Sequence, residues 1–216
     1  MSHTSTTAAE TGDMRKRILA AAFGAFTKNG YAGTTTLEIA ARAKVSKRDL
    51  YALFGDKQAM LVACIESRTD RMQVLEGLPV PGSQQALVST LVAFATTVLT
   101  ESTHPNVIAM FRLGISEADR SPEVAQALEV GRRANRRTLA EFLSHAQTGG
   151  LIGAGDPTEL AAECMAFAWE DLLVAMLLGV RKRPSPADLH EQAANAVDRF
   201  LRLHPKPARS SRSATH

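Results

Sequence analysis

The sequence predicts an all-α protein, and three observations carry that prediction. Apolar residues recur at helical spacing in successive segments, most of these segments open on a side-chain cap or a proline, and no stretch alternates polar with apolar residues as a strand would. The caps and breaks divide the 216 residues into about nine helices, a length that accommodates one or two domains with a substantial core.

Read in chain order, residues 1–12 are small and polar, without the basic start and apolar stretch of a secretory signal, and are expected as a disordered arm. A first helix is expected over 13–28, where Ile18, Leu19, Ala22, Phe23 and Phe26 share one face and Gly30 supplies the stop. Thr34, Thr35 or Thr36 can cap a short second helix ending near Ala43. The turn Lys44-Val45-Ser46 then leads to a third helix, Lys47 to Phe54. Gly55-Asp56 ends that helix and caps a fourth over 57–76, whose apolar stripe is Met60, Leu61, Ala63, Cys64 and Ile65. Past the break at Gly77 to Gly82, longer helices are expected over 83–103, 105–118, 122–147, 157–181 and 186–203. Ser121-Pro122, Asp156-Pro157 and Ser185-Pro186 each join a cap to a proline at the first helical position, where the missing N–H costs nothing. Residues 204–216, rich in Pro, Ser and basic side chains, are expected as a disordered tail.

Charge is unevenly placed. Residues 1–60 carry nine Lys/Arg against five Asp/Glu, residues 61–203 thirteen against seventeen, and the tail three basic residues and no acidic ones. The basic N-terminal quarter is therefore where a polyanion would dock, although a surplus of four also suits an ordinary solvated surface. The two cysteines, Cys64 and Cys164, form no CxxC or Cys/His cluster, so neither a disulfide framework nor a metal site is expected, and the reducing cytoplasm is the expected location.

The segment Thr36 to Phe54 has the form of a helix-turn-helix, two short helices joined by a three-residue turn, the unit that presents a helix to the major groove. Ile39, Ala40, Ala43, Val45, Leu50 and Phe54 would form its core, and Ser46, Lys47, Arg48, Asp49 and Tyr51 its polar edge. At these residues the chain resembles the TetR family of regulators. The resemblance is carried by Arg17 to Ala22, Phe26, Asn29-Gly30-Tyr31, Thr35 to Ala40, Val45-Ser46-Lys47, Leu50-Tyr51, Phe54 and Lys57, and it covers about residues 14 to 65. It implies that Thr36 and Tyr51 contact phosphates, that Lys47 and Arg48 reach into the groove and that Lys57 meets a flanking phosphate. Thr35, Lys44 and Ser46 complete the expected DNA-binding set. Two residues depart from the family pattern: Lys44 stands where glycine is usual, and Arg48 where a small residue is common. Arg48 could read a guanine or clamp a phosphate.

The domain division that follows is a helix-turn-helix domain over 13–58, a linking helix over 57–76 and a regulatory, dimerising body over 59–203. Phe111 to Ala118 and Ser121 to Val124 are similar to the C-terminal domain of the AefR-like group within the family. Leu160 to Val180 is almost wholly apolar, yet Glu163, Glu170 and Asp171 would each cost about 2.5–3.5 kcal/mol in hydrocarbon, so a buried soluble helix is expected and not a membrane span. Such a helix must be covered on most faces, and with the last helix it is expected to form a four-helix homodimer interface through Phe167, Leu173, Met176, Leu177, Val197 and Phe200. A pocket for a small hydrophobic effector would draw on Phe94, Met110, Phe111, Met165 and Trp169, all of which also suit plain core packing.

The glycine-rich run Gly149 to Gly155 lacks both a preceding strand and GxGxxG spacing, so it reads as a helix stop and linker and not a nucleotide loop. The arginines between Arg132 and Arg137 read as a solvated helix face. No nucleophile motif appears, so no enzyme and no cofactor are expected; an enzyme and a helical protein-interaction module remain the rival classes. The function expected from residues and resemblance together is a dimeric transcriptional repressor, with activation the alternative, that binds double-stranded palindromic operator DNA and is released by a small hydrophobic ligand.

Overall fold

The structure, a computed structural model, describes residues 3–72 and 78–207 of the chain, with side chains over 10–67 and 78–207. The described residues form ten α-helices: α1 (His3–Gly33), α2 (Thr36–Ala43), α3 (Lys47–Phe54), α4 (Lys57–Met72), α5 (Gln84–Ser102), α6 (Pro105–Glu117), α7 (Pro122–Thr148), α8 (Pro157–Trp169), α9 (Leu172–Leu177) and α10 (Pro186–Leu203). No strand occurs among them.

Caps explain why most expected boundaries hold. Asp156 accepts the Thr158 and Glu159 amides at 2.7 and 3.1 Å, so α8 begins at Pro157. Those amides, Glu159 foremost, hold the Asp156 carboxyl below its ordinary range. Ser185 and Asp188 form a reciprocal capping box at the start of α10, and Ser83 caps α5. Gly150 takes a positive φ of 64° at the end of α7, as a helix stop requires, and the Gln147 amide donates to the carbonyls of Gly153 and Gly155 to fix the following loop.

Two expectations about the helices change. The first helix begins at His3 and not at Asp13, so the expected arm over 1–12 is helical from residue 3; Ala8, Ala9 and Glu10 are good helix formers that a reading by composition undervalued. Residues 1–2 of that arm, 73–77 of the expected fourth helix and 208–216 of the expected tail lie outside the described residues. The expected single helix over 157–181 is two helices, which raises the count from nine to ten. Glu170 breaks it with φ 44° and ψ −130°, and the break is held from α10: Gln192 donates to the Ala168 carbonyl at 2.7 Å, and Arg199 pairs with Glu170 at 2.5 Å. The carbonyl freed at the break thus keeps a partner. Gly179, at φ 77°, then ends α9 four residues short of the expected Arg181.

Compactness is a separate matter from the expected division into DNA-binding and regulatory parts. The chain divides into two compact units, one made of α1–α4, α6 and α7 up to Gly131, the other of α5, α7 from Arg132 and α8–α10. In the first unit Val107, Met110, Leu113, Val124, Ala127 and Leu128 share one buried core with Ile18, Phe26, Leu50, Met60 and Ile65. Gly114 permits α6 and α7 to approach closely, since a Cβ there would stand 2.2 Å from Leu128 Cδ1. In the second unit α10 packs on both α5 and α8. Arg183 reaches back to the C-terminal end of α5, donating to the Thr100 carbonyl at 3.0 Å, where a cation complements the helix dipole.

Candidate nucleic-acid interface

The helix-turn-helix is built on the buried residues Ile39, Ala40 and Ala43 of α2 and Leu50 and Phe54 of α3, with Val45 packed against them. Thr35 caps α2 by accepting the Glu38 amide at 3.1 Å. Ser46 caps α3, accepting the Asp49 amide at 3.1 Å while its hydroxyl donates to the Asp49 carboxylate at 2.7 Å. With its polar groups turned onto the cap, Ser46 starts α3 and leaves Lys47, Arg48 and Tyr51 exposed along its leading turn. Tyr51 remains 42% exposed, and its hydroxyl lies 3.2 Å from that of Thr36, joining α3 to α2 at the surface. The Lys47 ammonium stands 5.9 Å from the centre of the Tyr51 ring. Thr35, Thr36, Ser46, Lys47, Arg48 and Tyr51 therefore gather on the first turns of α2 and α3. Lys44 sits at the intervening turn.

Lys44 takes the left-handed conformation that its place in the turn demands, φ 55° and ψ 49°, and its N–H closes α2 onto the carbonyls of Ala40 and Ala41. A lysine there carries a steric penalty of about 1–2 kcal/mol that glycine avoids. Glycine also costs about 0.5–1 kcal/mol in chain entropy, so Lys44→Gly is expected to stabilise the DNA-free protein by roughly 0.5–1 kcal/mol. Scanning calorimetry should show a melting temperature raised by about 2 °C, and a lowered one would contradict the strain reading.

Lys57, expected at a flanking phosphate, has partners within the domain in the DNA-free chain. Its ammonium donates to the Tyr31 carbonyl at 2.9 Å and the Thr34 carbonyl at 3.0 Å, and it lies 4.3 Å from the centre of the Tyr31 ring. The charge is turned into the domain.

Other supporting contacts join residues too distant in sequence for spacing to pair. Asn29, just before the non-helical Gly30 within α1, donates to both carboxylate oxygens of Glu38 at 3.1 Å, and Arg42 pairs with the same carboxylate at 2.9 Å. Arg15 lies 5.0 Å over the Phe54 ring. The Tyr31 hydroxyl titrates above its ordinary value, pushed up first by burial and then by the carboxylates of Asp56, Glu117 and Glu123.

The remaining expected residues fall in both units. Met110 and Phe111 join the core of the first; Phe94 is buried in the second, where Met165 and Trp169 are half-buried. Of the expected interface residues, Met176, Val197 and Phe200 are buried within the chain's own fold, whereas Phe167, Leu173 and Leu177 are only half-buried. Val174, Leu178 and Val180 beside them are well exposed. One open cavity of the second unit, about 380 Å³, is lined by Glu170, Asp188, Glu191, Gln192, Asn195, Ala196 and Arg199, a polar lining unlike that of the expected pocket. Among the described residues no group of His, Cys, Asp and Glu is arranged to hold a metal ion, and no single helix is long and apolar enough to cross a membrane.

Comparison with known proteins agrees with this geometry. The family described as bacterial regulatory proteins, tetR family, matches residues 18–64, and the AefR-like transcriptional repressor C-terminal domain matches residues 89–204. The chain is 26% identical over 174 residues to the HTH-type transcriptional regulator YvkB of Bacillus subtilis (strain 168), covering 80% of this chain and 88% of that protein. Among solved structures it is similar to the flavonoid-responsive regulator FrrA, with a TM-score of 0.75 and 27% identity over 91% of this chain and 100% of that one. A TetR transcriptional regulator from Agrobacterium tumefaciens gives 0.71 and 28%, over 88% and 94%. A TetR-family regulator from Mesorhizobium loti MAFF303099 gives 0.78 at 24% identity, over 90% and 98%, a likeness that bears on the fold alone.

Proposed function

Because this chain belongs to the TetR family of DNA-binding transcriptional regulators, we propose that it works in the cytoplasm as a homodimeric repressor, releasing a palindromic operator when a small hydrophobic ligand occupies its C-terminal body. The observation that carries the DNA-binding part is the exposed leading turn of α3, with Lys47, Arg48 and Tyr51 in the open above a buried Leu50 and Phe54. Each α3 enters one major groove. Lys47 and Arg48 reach base edges or phosphates, while Thr36 and Tyr51, already paired, meet one phosphate together.

A TetR-type dimer needs an apolar face on each subunit, and the exposed Val174, Leu178 and Val180, beside half-buried Phe167, Leu173 and Leu177, supply one in and after α8 and α9. Met176, Val197 and Phe200, expected in the same interface, are buried in the chain's own core. The double variant Val174→Asp and Leu178→Asp is therefore expected to elute as a monomer with unchanged helical circular dichroism. Elution as a dimer would move the interface elsewhere.

The effector is proposed to be a flat aromatic molecule, by analogy with the flavonoid-responsive FrrA. Trp169, the one tryptophan, is half-buried on α8 and gives the signal for a screen. Selection of bound fragments from the source genome tests the whole reading. The expected result is an inverted repeat whose binding weakens steeply with salt and is relieved by a compound that changes Trp169 fluorescence; failure to enrich any sequence would overturn it.

A further inference from the structure

We propose that Arg48 determines the sequence specificity of α3: its guanidinium reads a guanine on the floor of the major groove and does not serve as a phosphate clamp. The inference deepens the proposed function and rests on the reading of α3 as the helix that enters DNA. Its ground is the position of Arg48 on that helix. At about 100° per residue, Arg48 and Ala52 fall on the side of α3 opposite the buried Leu50 and Phe54, and both are exposed. A helix about 10–12 Å across fills a major groove about 12 Å wide, so the face turned away from its own domain is the one that meets base edges. Arg48 is also the second residue of α3, and the first residues of such a helix are those that reach bases.

Its neighbours mark out the flanks of that face. On the side of α2, the Tyr51 hydroxyl lies 3.2 Å from that of Thr36, and the Lys47 ammonium stands 5.9 Å from the centre of the Tyr51 ring. On the other flank Asp49 is half-buried, its carboxylate turned onto the Ser46 hydroxyl at 2.7 Å. Three and four residues from Arg48 stand Lys44, Val45, Tyr51 and Ala52, so no carboxylate is placed to pair with it along the helix. The guanidinium is free to turn outward. Ala52, one turn on, adds only a methyl group to the same face. A longer side chain there would hold the helix off the bases, whereas alanine lets α3 come close enough for the Arg48 fork to lie in the plane of a base pair.

The fork also selects the base. Arginine presents coplanar paired N–H donors, and of the four bases guanine alone offers two acceptors, O6 and N7, side by side on its major-groove edge.

An analogue of guanine separates this contact from a phosphate clamp. The operator selected by the wild-type chain is expected to carry a G·C pair at one fixed position in each half-site. At both positions 7-deazaguanine, which pairs as guanine does but lacks the N7 acceptor, should weaken wild-type binding about tenfold and leave the binding of Arg48→Ala unchanged. Arg48→Ala should stay folded by circular dichroism, bind the selected operator at least tenfold more weakly, accept all four base pairs at that position nearly equally, and keep the wild-type salt slope. Uniform weakening across all sequences, with the slope of log K against log salt lowered by about 1.8 for the two arginines of a dimer, would make Arg48 a phosphate clamp and overturn the proposal. Unchanged affinity and base preference in Arg48→Ala would overturn it as well. If the wild-type chain selects no operator, the proposed function falls and this assignment with it; once an operator is in hand, a failure at Arg48 counts against this assignment alone.

Discussion

Replacing Lys47 and Tyr51 together by alanine is expected to weaken operator binding at least a hundredfold while leaving fold and oligomeric state unchanged. Both side chains are exposed, and neither belongs to the core of α2 and α3. Surface substitutions of this kind change stability by roughly 0.5 kcal/mol or less, whereas removal of a base or phosphate contact costs about 1–3 kcal/mol of binding each. The two effects should not add. Lys47 stands over the Tyr51 ring, and the Tyr51 hydroxyl holds Thr36, so removing Tyr51 also releases both neighbours. Fluorescence anisotropy on the four proteins of the double-mutant cycle measures the coupling. A double variant within tenfold of wild type would mean that α3 does not read DNA.

Leu50→Ala should have the largest effect on stability in the helix-turn-helix. Leu50 is fully buried at the middle of α3, in the same core as Ile39, Ala43 and Phe54, and truncation leaves a cavity that two eight-residue helices cannot close by repacking. Such changes cost about 2–5 kcal/mol. Calorimetry should show the first unit melting on the order of 10 °C lower, with operator affinity falling as α3 loses its seat. Leu37→Ala is the matched control: Leu37 on α2 is 66% exposed and should melt as wild type. Equal effects at 37 and 50 would contradict the placement of the core.

What could be read in advance followed from local chemistry. Caps such as Asp156 and Ser185, each before a proline, fix helix starts within a few residues, and the faces of the early helices follow from spacing at 3.6 residues per turn. The left-handed turn at Lys44 was legible because the family pattern has glycine there. Pairing of faces was not legible. That α6 joins the core of Ile18 and Phe26, or that Lys57 meets carbonyls of residues 31 and 34, depends on contacts far apart in sequence. The break at Glu170 was hidden for the same reason, since its support comes from Gln192 and Arg199 on another helix. Burial of Val197 and Phe200 within one chain shows the ambiguity of an apolar stripe, which serves a subunit's own core as readily as a partner's.

Chemical proximity gives the sharpest view of where α3 lies on DNA. Cys64 and Cys164 are both buried, and burial together with Glu163 pushes the Cys164 thiol up to about 12, so a cysteine added at the surface can be alkylated selectively near neutral pH. Arg48→Cys carrying a photoreactive or DNA-cleaving group, bound to the selected operator, is expected to mark bases from the major groove at two symmetry-related positions, separated by one or more duplex turns of roughly 34–36 Å. Marks scattered along the duplex, or none, with the labelled protein still bound, would contradict entry of α3 into the groove.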